Sequence, residues 1–566
     1  MALPVLVAVS APWAYSHAQI ETDGTMGAAQ VLAGPNFGIG AGLGTQRSGN
    51  LFHSFRHFNI NTGQSATFSG PDTIDNVISR VTGGTVSNID GLLRSTIGTA
   101  DFFFINPSGV VFGPNASLDV PGSFHVSTAD QIRFPDGGVF DASNPANTVL
   151  SVADPSAFGF LTANPASITA TGSELEVPAG QTLSVVGGNL DIVGGELLAP
   201  SGRINLASVS SPGQVVPSPG DLGLEGFGAL GTVNLRDGAL LSTRGDPGGT
   251  VFIRGGRLII DNSASSGTQT AINSGTTGAT DGASVGVDIQ VTDDVILDKA
   301  EIVSSSFGAG GSGRIDIVAG RVQLVADNRS GNIFQLGSAI GSRVFGSGPS
   351  GGISVTADSV ELAANSIMDA QATFFGTGRS GDIFINAGRL IVDGTEQSSF
   401  IDTFSFGGGI AGSLEIVADS VTVQGGSAGF TGITTQVGSL SQSIENAGDL
   451  TVTVGRLEIL DGAELSATIF RGPGSAGNVN IVADSILVRG ISATGNSAGI
   501  FASSFGGEFT SGNAGTITIE TGSLTVQERG QVSTFSNSLG NSGTIDIVAD
   551  TVSVASGGLI GATSFG

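Results

Sequence analysis

The chain has 566 residues, with 91 glycines, no cysteine, 12% charged residues and a formal net charge of −27. The absence of cysteine excludes a disulfide scaffold and leans toward export, and so acidic a surface disfavours phosphate backbones, so no nucleic acid is expected as a partner. Glycine does not fall at every third place, which excludes collagen, and Val, Ile, Leu and Phe alternate throughout, which excludes a disordered chain.

At the start, Ala2 to Ala14 is an apolar run, followed by Ser16-His17-Ala18 and polar Gln19. This small-x-small pattern reads as the end of a secretory signal peptide over residues 1–18, cut between Ala18 and Gln19. No Lys or Arg precedes Arg47, so the basic start of such a signal is missing and its beginning is expected to be truncated. The only Trp and Tyr, Trp13 and Tyr15, lie before the cut. The run is too short for a membrane span, and no later segment supplies about twenty uninterrupted apolar residues, so no transmembrane segment is expected.

From 19 to about 260, phenylalanine is dense between Phe52 and Phe140. Ala66-Thr67-Phe68 and Asp101-Phe102-Phe103-Phe104-Ile105 alternate as strands do, with Gly, Pro and Asn clusters as turns between them. A series of blocks then stands in order. Gly49-Asn50-Leu51-Phe52-His53-Ser54-Phe55 and Phe58-Asn59-Ile60 come first. Asn76-Val77-Ile78-Ser79-Arg80-Val81 and Ser87-Asn88-Ile89-Asp90-Gly91 follow, and then Ala100 to Phe112. Physically, Asn106-Pro107-Ser108-Gly109 reads as a turn between strands: Pro107 fixes φ, Ser108-Gly109 suits a type I or II turn, and Asn106 can bond its own backbone.

This series resembles the secretion domain of two-partner-secretion exoproteins, the TpsA or filamentous-haemagglutinin family. Ile105-Asn106-Pro107-Ser108-Gly109-Val110 is similar to the family's Asn-Pro-Asn-Gly-Ile box, with Ser108 in place of the second Asn. No clear Asn-Pro-Asn-Leu box stands upstream, so the likeness is closest to the branch lacking it. The resemblance implies export through an outer-membrane β-barrel transporter of the TpsB type with POTRA domains. The product would be secreted, or held at the outer surface of a Gram-negative-type bacterium. Asn59, Asn106, Pro107, Ser108 and Gly109 are then candidates for transporter recognition or for the structural turn.

The region 261–566 repeats itself. A unit Gly-x-Ile-x-Ile-x-Ala-x-Ser-Val-x-Val starts at Gly313, Gly351, Gly381, Gly412, Gly448, Gly477, Gly515 and Gly543, about 33 residues apart on average. A further alternating segment per unit, as in Ile302-Val303-Ser304-Ser305-Ser306-Phe307-Gly308, gives three short strands and three turns. That pattern predicts an all-β chain: a right-handed parallel β-helix of the pectin-lyase-like kind, with an N-terminal cap of short extra strands. Roughly 20 coils would make a rod on the order of 100 Å. A propeller is the alternative, though its strands are longer. The last unit stops at Gly566, so the repeats are expected to continue beyond it.

No catalytic constellation, metal cluster or cofactor motif stands out, and no enzyme or cofactor is expected. Asp358, Asp419, Asp484 and Asp550 recur at equivalent places, which reads as a structural corner or a solvated face and not as one unique site. His53 and His57 stand four apart but not on a helix, so packing or exposure is favoured over metal binding. The triplet Arg244-Gly245-Asp246 could engage an integrin-like receptor on a loop. The expected role is an adhesin or matrix component with a host-cell, glycan or matrix ligand. The alternatives are a secreted carbohydrate-active enzyme, which would need a groove with clustered, non-repeating carboxylates, and the stalk of a toxin-delivery protein.

Overall fold

The computed structural model describes residues 19–264, 268–326, 337–426, 429–438, 446–470, 474–505, 512–537 and 539–564. The proposed signal segment with Trp13, Tyr15 and Ala18, and the final Phe565-Gly566, lie outside them. The described residues form strands and turns, with two short 3-10 segments, Ala41–Leu43 and Pro145–Asn147.

The strands wind into a right-handed parallel β-helix of three ladders. The first runs from Asn50–Phe58 through Asn76–Val81, Asp101–Ile105, Phe124–Ser127, Thr182–Gly187, Arg203–Ser208 and Thr250–Gly255 to Val285–Val291. The second runs from Ser87–Ile89 through Val110–Phe112, Ile168–Thr171, Leu190–Val193, Thr232–Arg236 and Arg257–Asp261 to Asp294–Asp298. Strand Arg314–Val325 then joins both, since its first half pairs with Val285–Val291 and its second with Asp294–Asp298. The expected three short strands per unit are corrected here. From Arg314 onward each unit has one strand of 10 to 12 residues and one of 6 or 7. One unpaired corner residue, such as Asp358 opposite Gly388, lets the long strand bend without ending.

The third ladder has 17 strands, from Asn36–Gly40 to Leu559–Ser564. At about 4.8 Å per step it is on the order of 80 Å long, shorter than the sequence estimate. Parallel pairing of equivalent strands in successive coils also disposes of the propeller, whose blades pair neighbouring strands.

Stacking puts like on like. Ile353, Ile383, Leu414, Leu450, Val479 and Ile517 form one inward column, each at most 1% exposed. Each such side chain contributes about 1.5–3 kcal/mol relative to exposure. The repeated glycine marks the corner before this column. A Cβ on Gly448 would lie 2.0 Å from the Gly412 carbonyl oxygen, and one on Gly477 2.0 Å from that of Gly448. Only glycine allows backbones to pass that closely. The inward hydroxyls of the third ladder hold the same corners: Ser304 Oγ donates to the Gly313 carbonyl at 2.6 Å, and Thr403 Oγ1 to that of Gly412 at 2.6 Å. This explains why serine and threonine alternate with isoleucine in the third segment.

Two additions mark the N-terminal part. Ile20–Thr22 and Thr45–Arg47 pair antiparallel with Asn50–Phe58, covering the edge that the first coil would otherwise expose. A five-stranded antiparallel cover sheet lies on the outer face of the first ladder. It comprises Val139–Asp141, Gln131–Arg133, Ala157–Phe160, Gly213–Ser218 and Asp221–Glu225. Its Ile132, Phe140, Phe158 and Val215 share a core with Phe52, Ile78, Phe103 and Phe252 of the ladder. Below Phe252 the same outward column is no longer fully buried, with Asp288, Asp316, Ser354 and Phe384 partly exposed.

Candidate functional site

The turn Asn106-Pro107-Ser108-Gly109 carries the chain from the first ladder to the second. Asn106 is fully buried. Its Nδ2 donates to the Thr85 carbonyl and to Ser87 Oγ, both at 2.9 Å, on the preceding coil. Its Oδ1 accepts from the Ser108 N–H at 2.9 Å, closing an Asx turn, and the Gly109 N–H donates to the Asn106 carbonyl at 3.0 Å. Gly109 has φ +112°, a conformation suited to glycine. Asn106 and Gly109 are therefore internal fasteners, while Pro107 and Ser108 are partly exposed and face outward from the corner.

Asn59 lies near the same edge. Its Oδ1 accepts from the Asn88 N–H at 2.9 Å, and Asn88 in turn pairs with Val111. Asn59 thus ties the first coil to the second, and the Asn106 turn ties the third to the second. The Asn59 N–H also donates to the Gln19 carbonyl at 2.7 Å.

Several polar fasteners escaped the sequence reading. Arg80 is wholly buried beneath the cover sheet. It donates to Ser54 Oγ at 2.8 Å, Thr148 Oγ1 at 2.5 Å and Thr25 Oγ1 at 2.9 Å, and to the Asp141 carbonyl at 2.5 Å. It also lies 4.3 Å from the Phe140 ring centre. Burial pulls its guanidinium down to about 10, against the pull of Asp23 and Asp141. Arg254 closes the other end of the cover, pairing with Asp221 and with Asp288 at 2.8 Å each. Asn50 and Asn76 are register partners, and Asn50 Nδ2 reaches the Ala153 carbonyl at 2.7 Å while Asn76 Nδ2 reaches Asp154 Oδ1 at 2.9 Å. The repeated asparagine at the head of two neighbouring blocks was the available signal.

The histidines are separate. His53 is buried among Phe55 and Phe68, and burial lowers it to about 4. His57 is partly exposed, with Nδ1 3.0 Å from Thr85 Oγ1. His125 stacks on Phe103 at 4.4 Å, bonds Ser184 Oγ at 2.9 Å, and is lowered to about 3, mainly by burial and then by Arg203. No group of three or more metal-ligating side chains occurs among the described residues.

Arg244-Gly245-Asp246 follows a third-ladder strand. The Arg244 guanidinium lies 4.3 Å from the Phe307 ring centre, and Asp246 Oδ1 accepts from the Thr280 N–H at 3.0 Å. Both charged groups are exposed but engaged with later coils. Asp358, Asp419, Asp484 and Asp550 are exposed at the unpaired corner, alternating with Gly388, Gly455 and Gly522.

Repeat symmetry does break on the outward face of the third ladder. Arg343 pairs with Asp369 at 2.8 Å and with Glu301 at 3.8 Å. Asp402, the register partner of Asp369, is pushed well above the usual carboxylate range by burial and then by Asp369. Asp369 is 4% exposed with both oxygens held by Arg343. The cluster is a sealed ion network and offers no open pair of carboxylates.

A parallel β-helix with a capped first coil and a covered first face defines a class: a solenoid whose N-terminal part is a distinct module. Residues 18–253 match the family model described as the TPS secretion domain. The N-terminal part is therefore a two-partner-secretion domain of the TpsA type. Among solved structures, it is similar to the HMW1 secretion domain from Haemophilus influenzae, at 13% identity, with a TM-score of 0.30, over 84% of this chain and 95% of that one. That likeness is too weak to bear on fold or function. No curated protein matches the chain. No helix among the described residues is long and apolar enough to cross a membrane.

Proposed function

We propose that the chain is a surface-displayed adhesive rod, delivered by a TpsB-type barrel whose POTRA domains receive the corner bearing Pro107 and Ser108. The observation that supports this reading is the change along the axis. Up to Phe252 the outer face of the first ladder is buried under the cover sheet, whereas farther along Asp288, Asp316 and Ser354 stand on the same column partly open to water. The covered part suits recognition and nucleation. The later coils suit display, because each contacts only its neighbours and can be added one at a time as chain emerges.

Retention at the cell surface and a matrix or host-cell ligand belong to the same proposal. Bacteria producing the chain, compared with a deletion strain on glass and on host-cell layers, should attach several-fold better. Equal attachment on every surface would overturn the adhesive role and leave the secretion domain standing.

A further inference from the structure

We infer that the outward face of the third ladder between Phe430 and Phe535 is a binding groove for a neutral glycan strand. The groove has a volume of about 470 Å³. Its rim is aromatic. Phe470 and Phe505 are partners on adjacent coils, with ring centres 5.3 Å apart and planes 10° from parallel, and Phe535 follows 5.5 Å from Phe505. Phe470 is 41% and Phe505 37% exposed. Burying an aromatic ring is strongly favourable, so a row left open to water offers a ready contact surface.

Between the rings stands a comb of polar groups, all uncharged except the Glu464 carboxyl. Gln436, Thr468, Ser503 and Gln531 line the groove with the hydroxyl of Ser466. Ser466 is 1% exposed and its Oγ has no hydrogen-bond partner among the described residues, a cost that a ligand hydroxyl would relieve. Two glycines on the same outward column keep the floor low. A Cβ on Gly499 would lie 2.0 Å from the Phe501 ring, and one on Gly432 3.1 Å from that of Phe430. Each therefore lets a ring lie down over the sheet. Gly432 and Gly499 flank Glu464 in register above and below. Stacked phenylalanines recur farther up in Phe307–Phe345 and Phe374–Phe406, but there the outward face carries the ion network of Arg343, Asp369 and Asp402 in place of the neutral amides and hydroxyls.

The occupant follows from this chemistry. An apolar peptide or a second copy would cover the rings but leave the hydroxyls and amides dry and unpaired, which is costly. A pyranose satisfies both, since its C–H face stacks on an aromatic ring while its rim of hydroxyls exchanges hydrogen bonds. Successive coils rise by about 4.8 Å, so an extended glycan lying along the axis places one sugar near each coil. Among the described residues no cationic side chain lines the groove, and the chain carries a net charge of −27, so an anionic polymer is disfavoured.

The adhesive reading supplies only the biological setting; binding is a property of the purified chain. The test titrates cellohexaose, chitohexaose and mannohexaose into the full secreted chain by calorimetry, with hexagalacturonate as the anionic comparison. At least one neutral hexasaccharide should bind, and Phe470→Ala and Phe505→Ala should each weaken it at least tenfold, with hexagalacturonate weaker still. Phe470→Leu keeps the apolar volume but lacks the ring face, so its loss of affinity decides the matter if the alanine variants do not fold. Failure of all three neutral probes at millimolar concentration, affinity unchanged in the phenylalanine variants, or tighter binding of hexagalacturonate would overturn the inference. Binding by the purified chain without any adhesion defect in the deletion strain would overturn the adhesive reading alone.

Discussion

Asn106 donates to Ser87 Oγ at 2.9 Å across adjacent coils, and so locks the corner that carries the Asn-Pro-Ser-Gly turn. Removing the amide by Asn106→Ala leaves the buried Ser87 hydroxyl without this donor and takes one from the Thr85 carbonyl, at a cost of about 1–3 kcal/mol. Ser108→Ala removes only a partly exposed hydroxyl and should change stability by less than about 0.5 kcal/mol. Thermal unfolding of the two variants separates the roles. If Ser108→Ala folds normally yet is exported poorly, the turn's outer surface contacts the transporter; if only Asn106→Ala is exported poorly, the turn acts through folding.

Acid should weaken the N-terminal module. Burial holds His53 at about 4 and His125 at about 3, below the ordinary 6.5. The unfolded chain therefore binds protons that the folded one refuses, so the stability is present above pH 6.5 and is lost as pH falls toward the folded values. For His53 alone the loss reaches roughly 3 kcal/mol. Denaturant unfolding at pH 7 and pH 4 should show it, and His53→Leu should flatten the difference. An unchanged pH slope in His53→Leu would refute the assignment.

Glu464 has the opposite sign. Burial pushes its carboxyl from 4.5 to about 7, so the folded form favours the proton. Its contribution is full below about pH 4.5 and is lost as pH rises through 7. Glu464→Gln should match the wild type at pH 4.5 and be more stable at pH 8.5, by about 3 kcal/mol at most. Melting curves at the two values check this.

The corner glycines should tolerate no side chain. Gly448→Ala places a methyl 2.0 Å from the Gly412 carbonyl, which cannot move without breaking the neighbouring coil. A loss of roughly 1–3 kcal/mol is expected, as for other overpacked sites. In a ladder stabilised between neighbours, proteolysis should open first near residue 448.

The ladder was legible because it repeats. Ile315, Ile353 and Ile383 alternate with polar residues, and each occurrence strengthens the last. The fused strands were not, because a corner residue such as Asp358 that bends one strand looks in sequence like one that separates two. The cover sheet escaped for a different reason. Gln131–Arg133 pairs with Ala157–Phe160, and that strand with Gly213–Ser218, so its partners are far apart in sequence and share no motif. Phe52, Ile78 and Phe103 read as ordinary strand residues, and only register shows that they form a second core on the outside. The box around Asn106 was legible as a turn, but its hold on Thr85 and Ser87 appears only when coils stack. The aromatic groove is assembled from Phe430, Phe470, Phe505 and Phe535, which lie on successive coils rather than in one segment.

The central claim is that this exoprotein leaves the cell through a dedicated outer-membrane barrel. The most direct measurement is the amount of full-length chain in the periplasm, on the cell surface and in the medium, with and without the gene for that barrel. Loss of the barrel should abolish the extracellular and surface fractions and leave the chain in the periplasm, with restoration when the gene is returned. An extracellular fraction unchanged without the barrel would contradict the claim.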